Sequence, residues 1–276
     1  MIYKCNLHTH TQFCDGGCSM EEMTKDAIAK GFVTLGFSPH SLTLFDQSYC
    51  MKDYPAFKQE FLRLKQKYQD KINLMMGIEA DAFGQTPDDV FDYTIGSVHY
   101  LPVKGEFLSV FDLNPKKIFA LDESKETFLK LLAEGFDNDI LAVAKCYFDT
   151  VVDMVQKTKP TIIGHFDLIS LYGDFGKVQS EYEQIAKDAV KRLAGCGSLV
   201  EINGNRKFKG RGGLYPADFL IKEFAQNGFD FVLSSDAHVT ASLGFEFDET
   251  VSHLKTLGIT RLATFDKKGN RIYTEI

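Results

Sequence analysis

The chain has 276 residues, 44% of them hydrophobic and 25% charged, an ordinary globular composition with apolar material for a sizeable core. Its 38 acidic and 31 basic residues leave a formal charge of −7, which disfavours nucleic acid as the main partner, because phosphate neutralisation shows as a basic surplus. No basic-then-apolar leader and no uncharged run near the ~20 residues of a membrane span is found, so a cytoplasmic protein is expected. Cys5, Cys14, Cys18, Cys50, Cys146 and Cys196 show no framework spacing and read as reduced thiols. Cys14-x-x-x-Cys18 is half of a zinc pattern, and no second pair completes it.

In chain order, residues 2–8 read as a first strand. Ser19 to Glu22 fits a capping box, and the helix behind it runs to about Lys30, stopped by Gly31. Residues 32–37 form a second strand ending at Ser38-Pro39-His40, followed by a polar, aromatic-rich excursion over 41–55 and a helix over about 56–69. Residues 72–78 form a third strand, ending at Glu79-Ala80-Asp81, and residues 93–98 a fourth, ending at His99-Tyr100. The interval 101–158 is expected to hold a loop and two helices, over 123–133 and 140–157. Residues 161–164 make a short fifth strand ending at His165-Phe166-Asp167, and a helix follows over about 181–194. A sixth strand, 198–202, ends at Asn203-Gly204-Asn205; after a helix over about 216–227 a seventh, 229–234, ends at Ser235-Asp236-Ala237-His238. One more helix, about 249–257, and small terminal strands complete the chain.

Strands alternating with helices imply a parallel sheet with helices outside it. An open doubly wound sheet would gather its ligand groups at one switch point. Here polar residues end all seven strands, which favours a closed α/β barrel with its site at the C-terminal strand ends. One domain over residues 1–276 is expected, as a monomer or small homo-oligomer.

Six of the seven histidines, His8, His10, His40, His99, His165 and His238, fall at or just past a strand end, together with Glu79 and Asp236. In extended backbone residues i and i+2 point to the same side, so His8 and His10 aim two imidazoles at one point. Imidazole is the commonest metal ligand at neutral pH, and closing the barrel brings the other strand-end groups to the same rim. His253, on the last helix, reads as a surface or packing residue. Each metal takes about three to five protein ligands, so this set implies two or three ions. Mixed imidazole and carboxylate suits Zn, Mn or Fe, whereas Ca and Mg prefer oxygen shells. Such sites hold a bridging water, lower its pKa and clamp the attacking and leaving oxygens of a phosphoryl group.

These residues resemble the PHP superfamily (polymerase and histidinol phosphatase), and within it the histidinol-phosphatase branch. The matching motifs are His8-Thr9-His10 with Asp15-Gly16, Ser38-Pro39-His40, Gly77-Ile78-Glu79, Gly96-Ser97-Val98-His99, Gly164-His165-Phe166-Asp167 and Ser234-Ser235-Asp236-Ala237-His238. The resemblance implies a distorted (β/α)7 TIM-like barrel, the PHP fold, with a trinuclear site. It implies that His8, His10, Glu79 and Asp236 hold one metal, that Glu79 bridges to a second bound by His99 and His165, and that Asp15, His40 and His238 hold a third. Several relatives carry a histidine where this chain has Asp15, which makes it the departure from the family pattern.

The sixth strand offers no ligand and ends in a basic, glycine-containing loop, residues 204–213. Arginine can bind phosphate bidentately, so Arg206, then Arg211 and Lys209, are the expected phosphate contacts, with Asn203 as a further substrate contact. The implied activity is a histidinol phosphatase of histidine biosynthesis, with histidinol phosphate as its small phosphorylated partner, and with attack by a metal-bridging hydroxide. Arg206 would stabilise the developing charge, and Asp15, His238 or a metal-bound water would protonate the leaving alcohol. The other readings are a PHP phosphoesterase acting on nucleotides or oligonucleotides, for which stacking aromatics beside a basic groove are expected, and a non-catalytic PHP module.

Overall fold

Seven short parallel strands, each buried throughout or nearly so, form the centre of the protein, whose computed structural model describes residues 4–103, 117–266 and 268–276. The strands are β1 (Cys5–Asn6), β2 (Thr34–Phe37), β3 (Asn73–Asp81), β4 (Tyr93–Ser97), β7 (Ile162–Ile163), β8 (Leu199–Asn203) and β9 (Phe231–Ser234), and they neighbour one another in that order. Runs buried on both faces are what a parallel sheet covered by helices requires. Beyond β1 and β9 the chains continue side by side: Thr9 bridges Ala237 in parallel, His10 N–H donates to the Ala237 carbonyl at 2.8 Å, and Ala237 N–H donates to that of His8 at 3.1 Å. The Asn6 side-chain carbonyl accepts the Ser235 N–H at 2.7 Å across the same seam. The sheet is therefore drawn round into a nearly closed, distorted (β/α)7 barrel, as expected.

The crossovers are helices that begin on short polar side chains. α1 (Met20–Ala29) carries the expected capping box: Ser19 Oγ accepts the Glu22 N–H, and Glu22 accepts the Ser19 N–H at 2.8 Å. α2 (Tyr54–Tyr68) starts on Asp53, with Pro55 in the first turn, where its missing N–H costs nothing. α4 (Ile140–Thr158), α5 (Gln179–Leu193), α7 (Asp218–Gln226) and α8 (Phe247–Thr256) each turn one apolar stripe to the barrel.

The interval after β4 departs from expectation. β5 (Tyr100–Pro102) pairs antiparallel with β6 (Ile118–Ala120), while the helical segment expected over 123–133 is present as α3 (Lys125–Lys130) passing into a π-helical turn, Leu131–Gly135. Strands of three residues are too short to display an alternation, which is why this ribbon was not foreseen. Part of the expected loop, residues 104–116, lies outside the described residues. A short helix, α6 (Asn205–Phe208), opens the basic loop, and β10 (Arg261–Phe265) with β11 (Arg271–Glu275) make the terminal hairpin.

One side chain spans the barrel's interior. A Cβ placed on Gly36 or on Gly77 would lie 2.1 or 2.2 Å from the ring atoms or hydroxyl of Tyr93, so both strands must be bare where that ring passes. The Tyr93 hydroxyl donates to the Leu7 carbonyl at 2.5 Å, one residue before His8.

Candidate metal centre

All six strand-end histidines, with Glu79 and Asp236, meet at the C-terminal mouth of the barrel. Glu79, inside the long β3 and 1% exposed, is the hub. Its Oε1 is 3.0 Å from His165 Nε2 and 3.3 Å from His99 Nε2; its Oε2 is 2.8 Å from His40 Nδ1, 3.2 Å from His8 Nε2 and 3.5 Å from His10 Nε2. Asp236 Oδ1 lies 3.2 Å from His10 Nε2 and 3.5 Å from His8 Nε2. Asp236 has φ 48°, a left-handed conformation that aspartate tolerates better than most side chains. Its other oxygen accepts from the amides of Asn203 at 3.2 Å and Asn205 at 3.0 Å, which fixes its aim.

Asp15 comes from the loop after His10. That loop closes because residue 16 is glycine: a Cβ there would sit 2.4 Å from the Thr11 nitrogen. The Asp15 carboxylate lies 3.2 Å from His238 Nε2, 3.5 Å from His40 Nε2 and 3.6 Å from His10 Nδ1. Three sets of donor atoms are close enough to share an ion: His10, Asp15, His40 and His238; His8, His10 and Asp236; His40, Glu79 and His99. His253 stays outside, on α8, 2.9 Å from Asp218.

The chemistry of this set fits a cation. His8 Nε2, His10 Nε2 and Glu79 Oε2 are buried, face one another and lack a well-formed hydrogen bond, a costly arrangement for protein groups alone. Burial works against charge on His8, yet Asp236, Glu201 and Glu79 outweigh it and hold the imidazole well above its ordinary pKa. Burial and the nearby His238 and His40 push His10 down to about 3. Burial would raise Glu79 and Asp236, but the surrounding imidazoles, His8 foremost, drive both carboxyls well below their usual range. These side chains, ionised acids and imidazoles turned nitrogen-first to one point, could hold divalent metal ions.

Behind the donors stands a layer that sequence reasoning missed. Glu201, on β8 and fully buried, lies 2.5 Å from His8 Nδ1 and accepts the His165 N–H at 2.7 Å, while the Ser234 hydroxyl donates to it. Asp81 does the same for His99, at 3.1 Å from Nδ1. Carboxylates on the far nitrogen of an imidazole fix its tautomer and orientation. β8 supplies no direct donor, as expected, but it supports one. The signal was present: Glu201 is an acid two residues before Asn203, on the same face of an otherwise apolar strand.

Asn203 corrects an expectation. It is 0% exposed and its amide donates to Glu201 at 3.0 Å and to Asp236, so it orients carboxylates and does not face a substrate. The basic loop does face the site. Arg206, Lys209 and Arg211 line one wall of a cleft of about 430 Å3 whose floor includes Glu79, His165 and Asp236. Arg206 donates to the Ser170 hydroxyl at 2.9 Å and lies 5.4 Å over the Tyr215 ring; Arg211 lies 5.3 Å over Tyr172.

The family model of the PHP domain matches residues 6–205. The chain belongs to the PHP domain family. Among curated relatives, the "Probable histidinol-phosphatase" of Schizosaccharomyces pombe is 28% identical over 94% of this chain and 89% of its own length. The protein of the same name from Deinococcus radiodurans is 28% identical over 95% and 96%. The histidinol-phosphatase of Bacillus subtilis is 23% identical over 90% and 98%. In fold, the chain is similar to the histidinol phosphate phosphatase of Lactococcus lactis subsp. lactis Il1403, solved with zinc, L-histidinol and phosphate. The TM-score is 0.71 at 20% identity, covering 99% of this chain and 100% of that one. Among the described residues no helix is long and apolar enough to cross a membrane.

Proposed function

We propose that this PHP protein is a metal-dependent phosphomonoesterase, acting as one 276-residue domain, that hydrolyses L-histidinol phosphate to L-histidinol and phosphate in histidine biosynthesis. The observation that carries the reading is a cleft in which a buried imidazole and carboxylate cluster lies beside three cations. The substrate follows from near full-length similarity to proteins named histidinol-phosphatase.

His8, His10, Glu79 and Asp236 would hold one ion, Glu79 with His99 and His165 a second, and Asp15, His40 and His238 a third, the ions being Zn, Mn or Fe. When bound, such ions lower the pKa of water and neutralise charge on phosphoryl oxygens. The protein's own groups do the rest. Arg206, aligned by Ser170 and Tyr215, offers a planar fork to the phosphate, with Arg211 and Lys209 beside it. A water oxygen bonds to phosphorus as the ester P–O bond breaks, and one of the water's protons passes to the leaving alkoxide by way of Asp15, which can use one oxygen for an ion and relay the proton on the other, beside His238 at 3.2 Å. The cationic wall of Arg206, Lys209 and Arg211 stabilises the charge that develops on the phosphoryl oxygens.

The test is phosphate release from L-histidinol phosphate by the chelator-stripped protein, with and without added Mn or Zn. Nucleoside monophosphates and p-nitrophenyl phosphate are run in parallel. Activity that returns with metal and is highest on L-histidinol phosphate is expected. A rate no better than on the other esters would sink the substrate assignment, and no activity with any metal would sink the enzyme.

A further inference from the structure

The cleft is electrically two-sided. Arg206, Lys209 and Arg211 enter it from the loop after β8; Asp46 enters from the loop after β2, and Asp122 and Glu123 from the stretch after the β5–β6 ribbon, beside the rings of Tyr49 and Tyr100. The three acids are not equivalent. Asp46 is occupied, with Oδ1 accepting the Ser48 N–H at 2.9 Å and its hydroxyl at 2.7 Å, and Oδ2 accepting the Tyr100 hydroxyl at 2.8 Å. Glu123 accepts the Thr127 hydroxyl at 3.0 Å at the start of α3. Asp122 has no hydrogen bond or ion pair with any described residue, although it lines the cleft and stands close enough for its charge to act on His99 and Tyr215.

The ribbon of β5 and β6 puts it there. Leu121, just past β6, donates its N–H to the His99 carbonyl at 2.8 Å, so the next side chain emerges at the mouth beside that histidine. The floor of the same cleft carries Glu79, 1% exposed, whose Oε2 faces the imidazoles of His8, His10 and His40 and lacks a well-formed hydrogen bond. A phosphate held over that floor has cations on one side, so the remainder of its ester extends toward the acids. A molecule that fits both walls is a phosphomonoester with a positive charge at its other end.

We propose that Asp122 is the specificity-determining residue that reads the positive end of the substrate, making the cleft selective for phosphomonoesters that bear an ammonium group. The inference deepens the histidinol-phosphatase reading, in which the ammonium is that of L-histidinol phosphate, and rests on that reading for the natural ligand. Tyr49, whose ring meets His40 edge-on at 4.7 Å, lines the same side and offers an aromatic face to the rest of the substrate.

The experiment compares matched esters on the metal-loaded full chain: 2-aminoethyl phosphate against 2-hydroxyethyl phosphate, with L-histidinol phosphate alongside. The readout is the ratio of kcat/KM values for charged over neutral ester. Asp122→Asn is expected to lower that ratio about 10- to 100-fold, the range of one hydrogen bond to a charged group. Asp122→Lys is expected to invert the preference. The side chain is exposed, so neither variant is expected to unfold the barrel, and a melting curve checks it. If Asp122→Asn slows both esters alike, the residue serves the chemistry or the fold and the inference is overturned; an unchanged ratio overturns it equally. If the wild type ignores L-histidinol phosphate yet favours the aminoethyl ester through Asp122, the proposed function falls and this inference stands.

Discussion

The two halves of the cleft are built by opposite means. On the floor, His8, His99 and Asp236 leave the ends of β-strands, are almost completely buried, and have partners behind them: Glu201 behind His8, Asp81 behind His99, Asn203 and Asn205 behind Asp236. On the cationic wall, Arg206, Lys209 and Arg211 ride on a short helix and a loop whose Gly210, Gly212 and Gly213 all have positive φ. Their supports are one hydroxyl, one backbone carbonyl and two tyrosine rings. Chemistry that needs several atoms fixed to tenths of an ångström is placed on strands, and capture of a charged group that arrives from solvent is left to a loop.

If this contrast is right, damage should scale with it. Glu79→Gln removes one negative charge from the hub that five imidazoles face, and should lower activity by about 10^2–10^3-fold or more, with metal content falling in parallel by elemental analysis. An active, metal-loaded Gln variant would break the picture of a hub. Glu201→Gln touches no substrate and no ion, yet should cost about 10–100-fold in metal affinity or activity, because it releases the far side of His8. Retention of wild-type zinc affinity in a chelator competition would reduce Glu201 to packing.

The next effect is pH dependence. Burial opposes charge on His40, but Glu79 and Asp15 outweigh it and raise its pKa to about 9. Below that value the proton must leave before Nε2 or Nδ1 can bind an ion. Affinity at the Asp15, His40 and His238 group should therefore rise by up to about tenfold per pH unit between 7 and 9 and level off above, as seen in the same competition assay. A flat profile would mean that His40 is not a ligand. Smallest is Arg206→Ala on the loop wall, expected to raise KM by about tenfold with a lesser change in kcat. A loss confined to kcat would move Arg206 from capture to chemistry.

What could be read from the chain divides along the same line. His8-x-His10, Glu79, His99, His165, Asp236 and His238 were legible because each directly follows or ends an apolar run, so one-dimensional position already told three-dimensional direction. The loop residue Asp15 was readable only through resemblance, since nothing local says that Gly16 folds it back over His10. Glu201 and Asn203 show the limit within a strand. Both lie on one face of β8, but a place at the strand end points only Asn203 toward a substrate and gives Glu201, deeper in the strand, no role. The β5–β6 ribbon was hidden because its two strands of three residues pair across an intervening stretch too long for a tight-turn signature.

The phenol of Tyr93, lodged where Gly36 and Gly77 have nothing to offer, reaches the carbonyl that immediately precedes the first imidazole. The depth of His8 in the mouth is thus measured off from the opposite side of the cylinder by the length of one aromatic side chain. Strand β4 carries no ion donor among its own five residues, yet it works as the gauge against which the first donor is set.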